Sequence, residues 1–594
     1  MIFDIEDKDI QIDSGTIEDV AELIKKENPG FCQIIINETD ENQAKEKIYH
    51  YFYRFEDHCL QSYHMNSLQR YQSQQALRVL KNLFSARHEH ITHFSVLKHL
   101  RKCLTKELDE IGLGFAYEIL FLFRALKGTK GLDKIPEPVS SRPEWSRMDK
   151  ISQEVIAWMD RYPSGLSEEV IKQRKKNQNV LKQKFQITDK EWFDWQWQRE
   201  HVIYRIDDLE DIIVLNEDEK KAIQLVNEYQ IPFGITPYYL SLLDVGEKEP
   251  KYDHFIRSLA FPPLKCIEKT IDMKKNLQNR DLRRSHQIPP EITITRGYPM
   301  IAIFKPMPAN MRFCMHDDRN WEITYSLWKE NAVLMDKIDR AIRWFERHTE
   351  VTEVLIAGDL LVYGDSVIEE ILSRFADIPY IQRIRVSTRM PVLLPFRMTE
   401  SLVHLLSSYQ ITGRREISLM THFEHAYEVT LESMQAIQKF RKAGIQVYNQ
   451  SIYTINNARR FEMAALRKVL RLIGVDPYYS FNAKKDIQEE RVPIARMIQE
   501  QSEESRLAPG IDRADEAVFG IPGGGKNYLK ASQEHDLIMI LEDGSRVYEF
   551  YPSDIFLINK KPFLYRDVPI YTFLNQLKKR GEQLLDYQSI WYYY

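Results

Sequence analysis

From about residue 290 onward, short apolar runs of strand length alternate with longer amphipathic stretches, and this alternation constrains the fold more than any other feature of the chain. The candidate strands are Ile301 to Phe304, Glu353 to Ala357, Arg383 to Ser387, Glu416 to Thr421, Ile445 to Gln450 and Pro477 to Phe481. After the second of them, Val367, Ile368, Ile371, Leu372 and Phe375 fall on one stripe at helical spacing. Strands that are apolar along their whole length are covered on both faces, as in parallel sheets flanked by helices. The six units predict an α/β fold, a partial (β/α)6 TIM-like barrel over residues 291–490, with a doubly wound sheet as the competing arrangement. Either arrangement places a site at the carboxyl ends of the strands.

The flanks read differently. Residues 1–185 form a large helical N-terminal region, with clear periodicity over Tyr71 to Leu80 and Phe115 to Leu126, and residues 186–290 a second helical segment. The basic run from Lys172 to Lys184 predicts a solvated helix face, because no aromatic residues interleave with it. His88, His90 and His93 could meet on a helix, and an exposed polar face is the simpler reading. Over 491–594 a small β-containing segment is expected, in which Leu537 to Ile540 and Val547 to Phe550 pair as a hairpin through Asp543-Gly544. The closing Trp591-Tyr592-Tyr593-Tyr594 predicts a packing or interface tail.

Composition removes several functional classes. At 594 residues and a net charge of −5, the chain has no global basic field for nucleic acid or an anionic membrane. No apolar run reaches bilayer length, and the opening MIFDIEDKDI lacks the basic and apolar regions of a signal peptide, so a cytoplasmic protein is expected. The cysteines are Cys32, Cys59, Cys103, Cys266 and Cys314, too widely spaced for a C-x2-C knuckle or a C-x3-C-x2-C cluster loop. Sparse, unpaired cysteines fit a reducing compartment.

Several separated motifs remain. They are Trp192-Phe193-Asp194-Trp195-Gln196-Trp197, Ile235-Thr236-Pro237-Tyr238-Tyr239, Arg319-Asn320-Trp321, Ser387-Thr388-Arg389-Met390-Pro391, Thr421-His422-Phe423-Glu424-His425, Tyr448-Asn449-Gln450-Ser451 and Gly523-Gly524-Gly525-Lys526. In order and spacing, over roughly residues 190–555, they resemble the lysine 2,3-aminomutase family of radical S-adenosylmethionine enzymes. The RNWEI and GKNYL wording is nearer to a longer branch than to the lysine enzymes themselves.

The resemblance implies roles for particular residues. Lys526, after Gly523, Gly524 and Gly525, matches the lysine that binds pyridoxal 5'-phosphate as a Schiff base. By the residues alone, an inert Gly-Lys turn and a G-x4-G-K phosphate loop starting at Gly520 stay open, the latter lacking its Ser or Thr. Arg319 matches an arginine that holds the substrate carboxylate. Gly358 and Asp359 fall where the family contacts S-adenosylmethionine, and His422 and His425 in the cofactor pocket. The three cysteine positions of the 4Fe-4S cluster fall on Asn310, Cys314 and Asp317, so two thiolates are missing. Cys314 with His316, Asp317 and Asp318 would suit iron or zinc better than a cubane, and a polar loop that took over from the lost cluster is the simpler reading. Two aspartates that grip the lysine ammonium correspond to Asn482 and Gly520, which leaves lysine selectivity without an electrostatic basis.

The first functional reading is therefore a degenerate or repurposed aminomutase relative that binds pyridoxal phosphate and a small amino-acid-type ligand. It has no nucleic-acid or membrane partner, and a homo-oligomer is left open. The alternatives are an active radical aminomutase with non-standard cluster ligation, and a non-catalytic binding or scaffold protein.

Overall fold

A computed structural model describes residues 15–61, 65–105, 107, 111–128, 143–229, 231, 233–246, 253–277, 294–296, 298–306, 331–482, 490–513, 515–521, 525–529, 534–551 and 561–594. The six expected strands are all present. They belong to a nine-stranded sheet made of β1 (Ile294–Thr295), β2 (Ile301–Phe304), β3 (Glu353–Ile356), β4 (Arg383–Ser387), β5 (Glu416–Thr421), β6 (Gln446–Tyr453), β7 (Asp476–Asn482), β8 (Glu516–Ile521) and β9 (Gly525–Tyr528). Their spatial order is their sequence order, without the reversal that a doubly wound sheet requires. β2 to β8 are parallel, while β1 and β9 are antiparallel additions at the two ends. β8 is a seventh parallel strand beyond the six expected.

One face of the sheet is sealed by the connecting helices. Ala302, Phe304, Val354, Ile356, Ile384 and Val386 point into that layer and are buried. Phe304 packs 5.6 Å from Phe375, which lies on the predicted stripe of the Asp365–Ala376 helix. The opposite face carries the alternate residues, since successive side chains on a strand point to opposite sides. On β4 these are Arg383, Arg385 and Ser387. Arg383 pairs with Glu353 and Glu416 on the neighbouring strands, so this face begins with an ion-pair layer.

The C-terminal hairpin forms as expected. β10 (His535–Ile540) and β11 (Arg546–Phe550) pair antiparallel, and β12 (Phe563–Arg566) adds a third strand. The helical N-terminal region is built against this small sheet. Its Leu113–Leu126 helix is buried all round, and it enters against the β10–β11 turn so closely that a Cβ on Gly114 would lie 2.6 Å from Asp543 O. Gly544, at φ +87°, meets the same helix start. Glu118 accepts two 2.9 Å hydrogen bonds from the Arg546 guanidinium, and both residues are buried. Trp591 stacks on Phe121 at 5.2 Å and 5°, so the terminal aromatics serve as packing.

Two expectations need correction. The basic run is not wholly solvated: on the Glu168–Phe185 helix Arg174 is buried, where its Nη1 donates to Glu432 Oε2 at 2.8 Å, and its neighbour Asn177 donates to the backbone oxygens of Ser241 and Leu243. His88 is buried rather than on a polar face, with Nδ1 3.0 Å from the Asn82 carbonyl. Among the described residues no helix is long and apolar enough to cross a membrane.

Candidate site at the strand ends

The carboxyl ends of β3, β4, β5 and β6 converge on a polar cluster. Directly after β3 the chain takes two consecutive positive-φ residues, Gly358 at +92° and Asp359 at +56°. Glycine adopts this region freely, and aspartate is among the few side chains that tolerate it. The turn sets the buried Asp359 carboxylate against the exit of β4, where Oδ1 accepts from Thr388 Oγ1 at 2.5 Å and from the Arg389 N–H at 3.1 Å. Arg389 in turn directs its guanidinium to Glu428 Oε1 at 3.3 Å. Glu428 is fully buried and also accepts from the Tyr239 hydroxyl and the Glu424 N–H, both at 2.7 Å. The Thr-Pro-Tyr-Tyr motif therefore supplies a second-layer clamp on the strand ends.

His422 lies just past β5, half-buried. Its Nδ1 is 3.1 Å from the Gln450 carbonyl oxygen, a partner that can only accept, so the proton sits on Nδ1. Nε2 then faces the Ser387 hydroxyl at 3.2 Å and accepts from it. Three strand ends are joined through one imidazole. Next to it, Asn449 reads both backbone groups of Phe423, accepting from N–H at 2.7 Å and donating to the carbonyl at 3.0 Å.

Two buried carboxyl groups have opposite character. Burial pushes Glu424 up to about 8, an effect that the nearby Arg389 only partly offsets. Glu462 is equally buried, and burial acts to raise it too, but Arg459 and His425 outweigh that and hold it at about 2. His425 contacts Glu462 Oε1 at 3.2 Å and stacks on Phe255 at 4.7 Å. It faces the helical packing.

At the far end of the sheet, β8 and β9 form a hairpin in which Gly520 pairs with Lys526. A phosphate loop needs its lysine at the start of a helix after a strand, and Lys526 stands within a β-strand instead. That placement speaks against the phosphate loop. Gly523 and Gly524 lie outside the described residues, as do Asn310, Cys314, Asp317, Asp318, His316 and Arg319; of Lys526 and Gly525 only the backbone is described. The remaining candidates therefore divide: Gly358, Asp359 and His422 gather on adjacent strand ends, while Gly520 and Lys526 share the β8–β9 edge.

Sequence reasoning missed the Arg389–Glu428–Glu424 cluster and the contacts that join Tyr478, Tyr479 and Tyr528. A strict period of 2 would set the adjacent Tyr478 and Tyr479 apart, and the register shift opposite Asn449 and Gln450 carries no signal in the sequence. Cys32, Cys103 and Cys266 are free and buried in helices, and burial pushes the Cys32 and Cys103 thiols up to about 11. Among the described residues no cluster of three or more His, Cys, Asp or Glu is arranged to hold a metal.

No protein-family model matches the chain. It is 34% identical over 569 residues to an uncharacterised KamA family protein of Methanocaldococcus jannaschii, covering 89% of this chain and 90% of that protein. It is 30% identical over 385 residues to the L-lysine 2,3-aminomutase of Bacillus subtilis, covering 62% of this chain and 76% of that enzyme. With the glutamate 2,3-aminomutase of Clostridioides difficile the identity is 31% over 322 residues, covering 53% and 70%. The first alignment takes in most of the chain, so it reaches into the helical N-terminal region. The chain belongs to the lysine 2,3-aminomutase family.

Proposed function

We propose that this protein binds pyridoxal phosphate at Lys526 and an amino-acid-type ligand beside it, on the inner face of a sheet that curls into a partial barrel. The observation that carries the reading is the β8–β9 register. Lys526 pairs with Gly520 across the hairpin, so the lysine of the glycine-rich motif is held on a strand of the main sheet rather than in an isolated turn. A lysine amine is the nucleophile that an aldehyde cofactor requires, and such a cofactor when bound supplies an electron sink. In this reading Gly523, Gly524 and Gly525 let the backbone approach the cofactor, and Arg319 holds the ligand carboxylate. His422 presents an accepting Nε2 toward the inner surface, with Ser387 as its hydrogen-bond partner.

The donor set does not fit a cubane cluster. The segment aligned with the family's cluster loop has one cysteine, Cys314, and three of the others are buried thiols in helical packing. Radical chemistry initiated by S-adenosylmethionine is accordingly not part of the proposal, and Asp359 serves as the clamp on Thr388 and Arg389. Sparse free thiols support a reducing, cytoplasmic setting.

The test is anaerobic reconstitution with iron and sulfide alongside titration with pyridoxal phosphate. The reading expects a bound pyridoxal chromophore and no stoichiometric iron. A reduced cluster whose paramagnetic signal shifts with S-adenosylmethionine would revive the radical enzyme. Failure to take up either group would leave a binding protein.

A further inference from the structure

Ser387 ends β4, His422 follows β5 and Gln450 lies on β6, so three neighbouring parallel strands bring a hydroxyl, an imidazole and a carbonyl into contact. His422 Nδ1 stands 3.1 Å from the Gln450 carbonyl, which fixes its proton there, and Nε2 receives the Ser387 hydroxyl at 3.2 Å. The backbone beside the imidazole is held as well. Asn449 grips the N–H and the carbonyl of Phe423 at 2.7 and 3.0 Å. The β6–β7 ladder shifts register between Asn449 and Gln450, and irregularities of this kind re-aim groups beside active sites.

The two hydroxyls at the end of β4 differ in what they are committed to. Thr388 Oγ1 donates to the buried Asp359 at 2.5 Å and accepts from the Met390 N–H at 3.0 Å, so it is spent on the turn. Among the described residues the Ser387 hydroxyl has His422 as its hydrogen-bond partner, and both residues are partly exposed. His425 is the opposite case. It is buried, its Nδ1 accepts from the Tyr427 N–H, and its Nε2 faces Glu462. A hydroxyl within reach of a neutral imidazole, whose other nitrogen is held by a third group, is the arrangement that activates a serine.

We infer that Ser387 is a nucleophile with His422 as its general base, and that the strand ends act on an acyl ester. Ser387 Oγ attacks the ester carbonyl carbon while its proton passes to His422 Nε2. The new Oγ–C bond forms, the bond from carbon to the leaving alkoxide breaks, and Nε2 returns the proton to that alkoxide. Water then cleaves the acyl-serine, giving one proton to Nε2, which restores it to Ser387 Oγ. Throughout, the Nδ1 proton stays on the Gln450 carbonyl, whose dipole favours the imidazolium formed in passing. The activity needs neither Lys526 nor pyridoxal phosphate.

The full-length protein without added cofactor is treated with p-nitrophenyl acetate and, separately, with a fluorophosphonate, which traps an activated serine by exchanging its P–F bond for an O–P bond. Peptide mapping should place the phosphonate on Ser387, and His422→Gln should slow its formation at least about a hundredfold. The acetate should give a burst of about one p-nitrophenolate per chain that Ser387→Ala abolishes. Ser387→Cys, nearly isosteric and keeping His422, guards against misfolded variants: iodoacetamide should alkylate the introduced thiol at pH 7 at least about fivefold faster than it alkylates glutathione. No adduct on Ser387, an adduct formed as fast in His422→Gln, an acetate burst that survives Ser387→Ala, or an introduced thiol no more reactive than glutathione overturns the inference. Failure of the cofactor reading is seen apart from this, as a missing pyridoxal chromophore.

Discussion

Gly520 and Lys526 are backbone partners across the antiparallel β8–β9 pair, which ties the lysine's strand to the end of the main sheet. Gly520 is not in the left-handed region, and an added Cβ there touches nothing within 4 Å. Neither backbone geometry nor steric room therefore requires glycine at this position. Gly520→Ala should leave Tm unchanged within about 2 °C, while Gly520→Trp should keep the fold and lower pyridoxal phosphate affinity by more than about tenfold. Thermal melts and cofactor titration measure both. Ordinary cofactor binding by the Trp variant would move the cofactor away from this face.

Lys526 itself has a sharper test, because an amine bound to an aldehyde can be fixed by borohydride reduction. Peptide mapping of reduced wild-type protein should find the pyridoxyl adduct on Lys526, and Lys526→Ala should carry none. An adduct on another lysine, or equal uptake by both proteins, would remove Lys526 from the proposal.

The strands were legible because alternate residues buried against the helices, such as Ile384 and Val386, mark short apolar runs, and the Asp365–Ala376 helix because its stripe repeats at 3.6 residues; the strand order, which separates this sheet from a doubly wound one, was not. β8 was not read as a strand, since Glu516 to Ile521 contains Gly520 and runs straight into the glycine-rich sequence. The Asp359 clamp and the Glu428 hub were equally invisible. Each depends on partners far apart in sequence, Thr388 with Asp359 and Tyr239 with Glu428. Arg174 misled for a similar reason: its neighbours in sequence are solvated lysines, and only packing against Glu432 reveals its burial.

The Glu118–Arg546 pair joins the N-terminal helices to the C-terminal sheet within the buried core. Arg546 also donates to the Trp591 carbonyl at 3.1 Å, so one guanidinium ties three segments. Removing one partner leaves the other charge buried and uncompensated, which typically costs about 3–5 kcal/mol. Arg546→Met should lower urea stability by that amount, and adding Glu118→Gln should recover part of it. A variant as stable as wild type would mean the two regions are held by apolar packing alone.

Glu424 makes stability depend on pH in a direction opposite to most carboxylates. In the folded protein it holds its proton up to about pH 8, whereas in the unfolded chain it ionises near the ordinary value of 4.5. As pH rises from about 4.5 to 8 the unfolded state gains by ionising while the folded state does not, so wild-type stability falls across that window. Glutamine can still accept the 2.9 Å bond that Glu424 Oε2 takes from the Ile452 N–H, and it has no proton to lose. Glu424→Gln should match wild type near pH 4.5 and exceed it by on the order of 3 kcal/mol at pH 8. Urea midpoints at the two pH values measure the difference. A gap that stays constant with pH would mean that Glu424 is ionised in the fold and that Arg389 carries its charge.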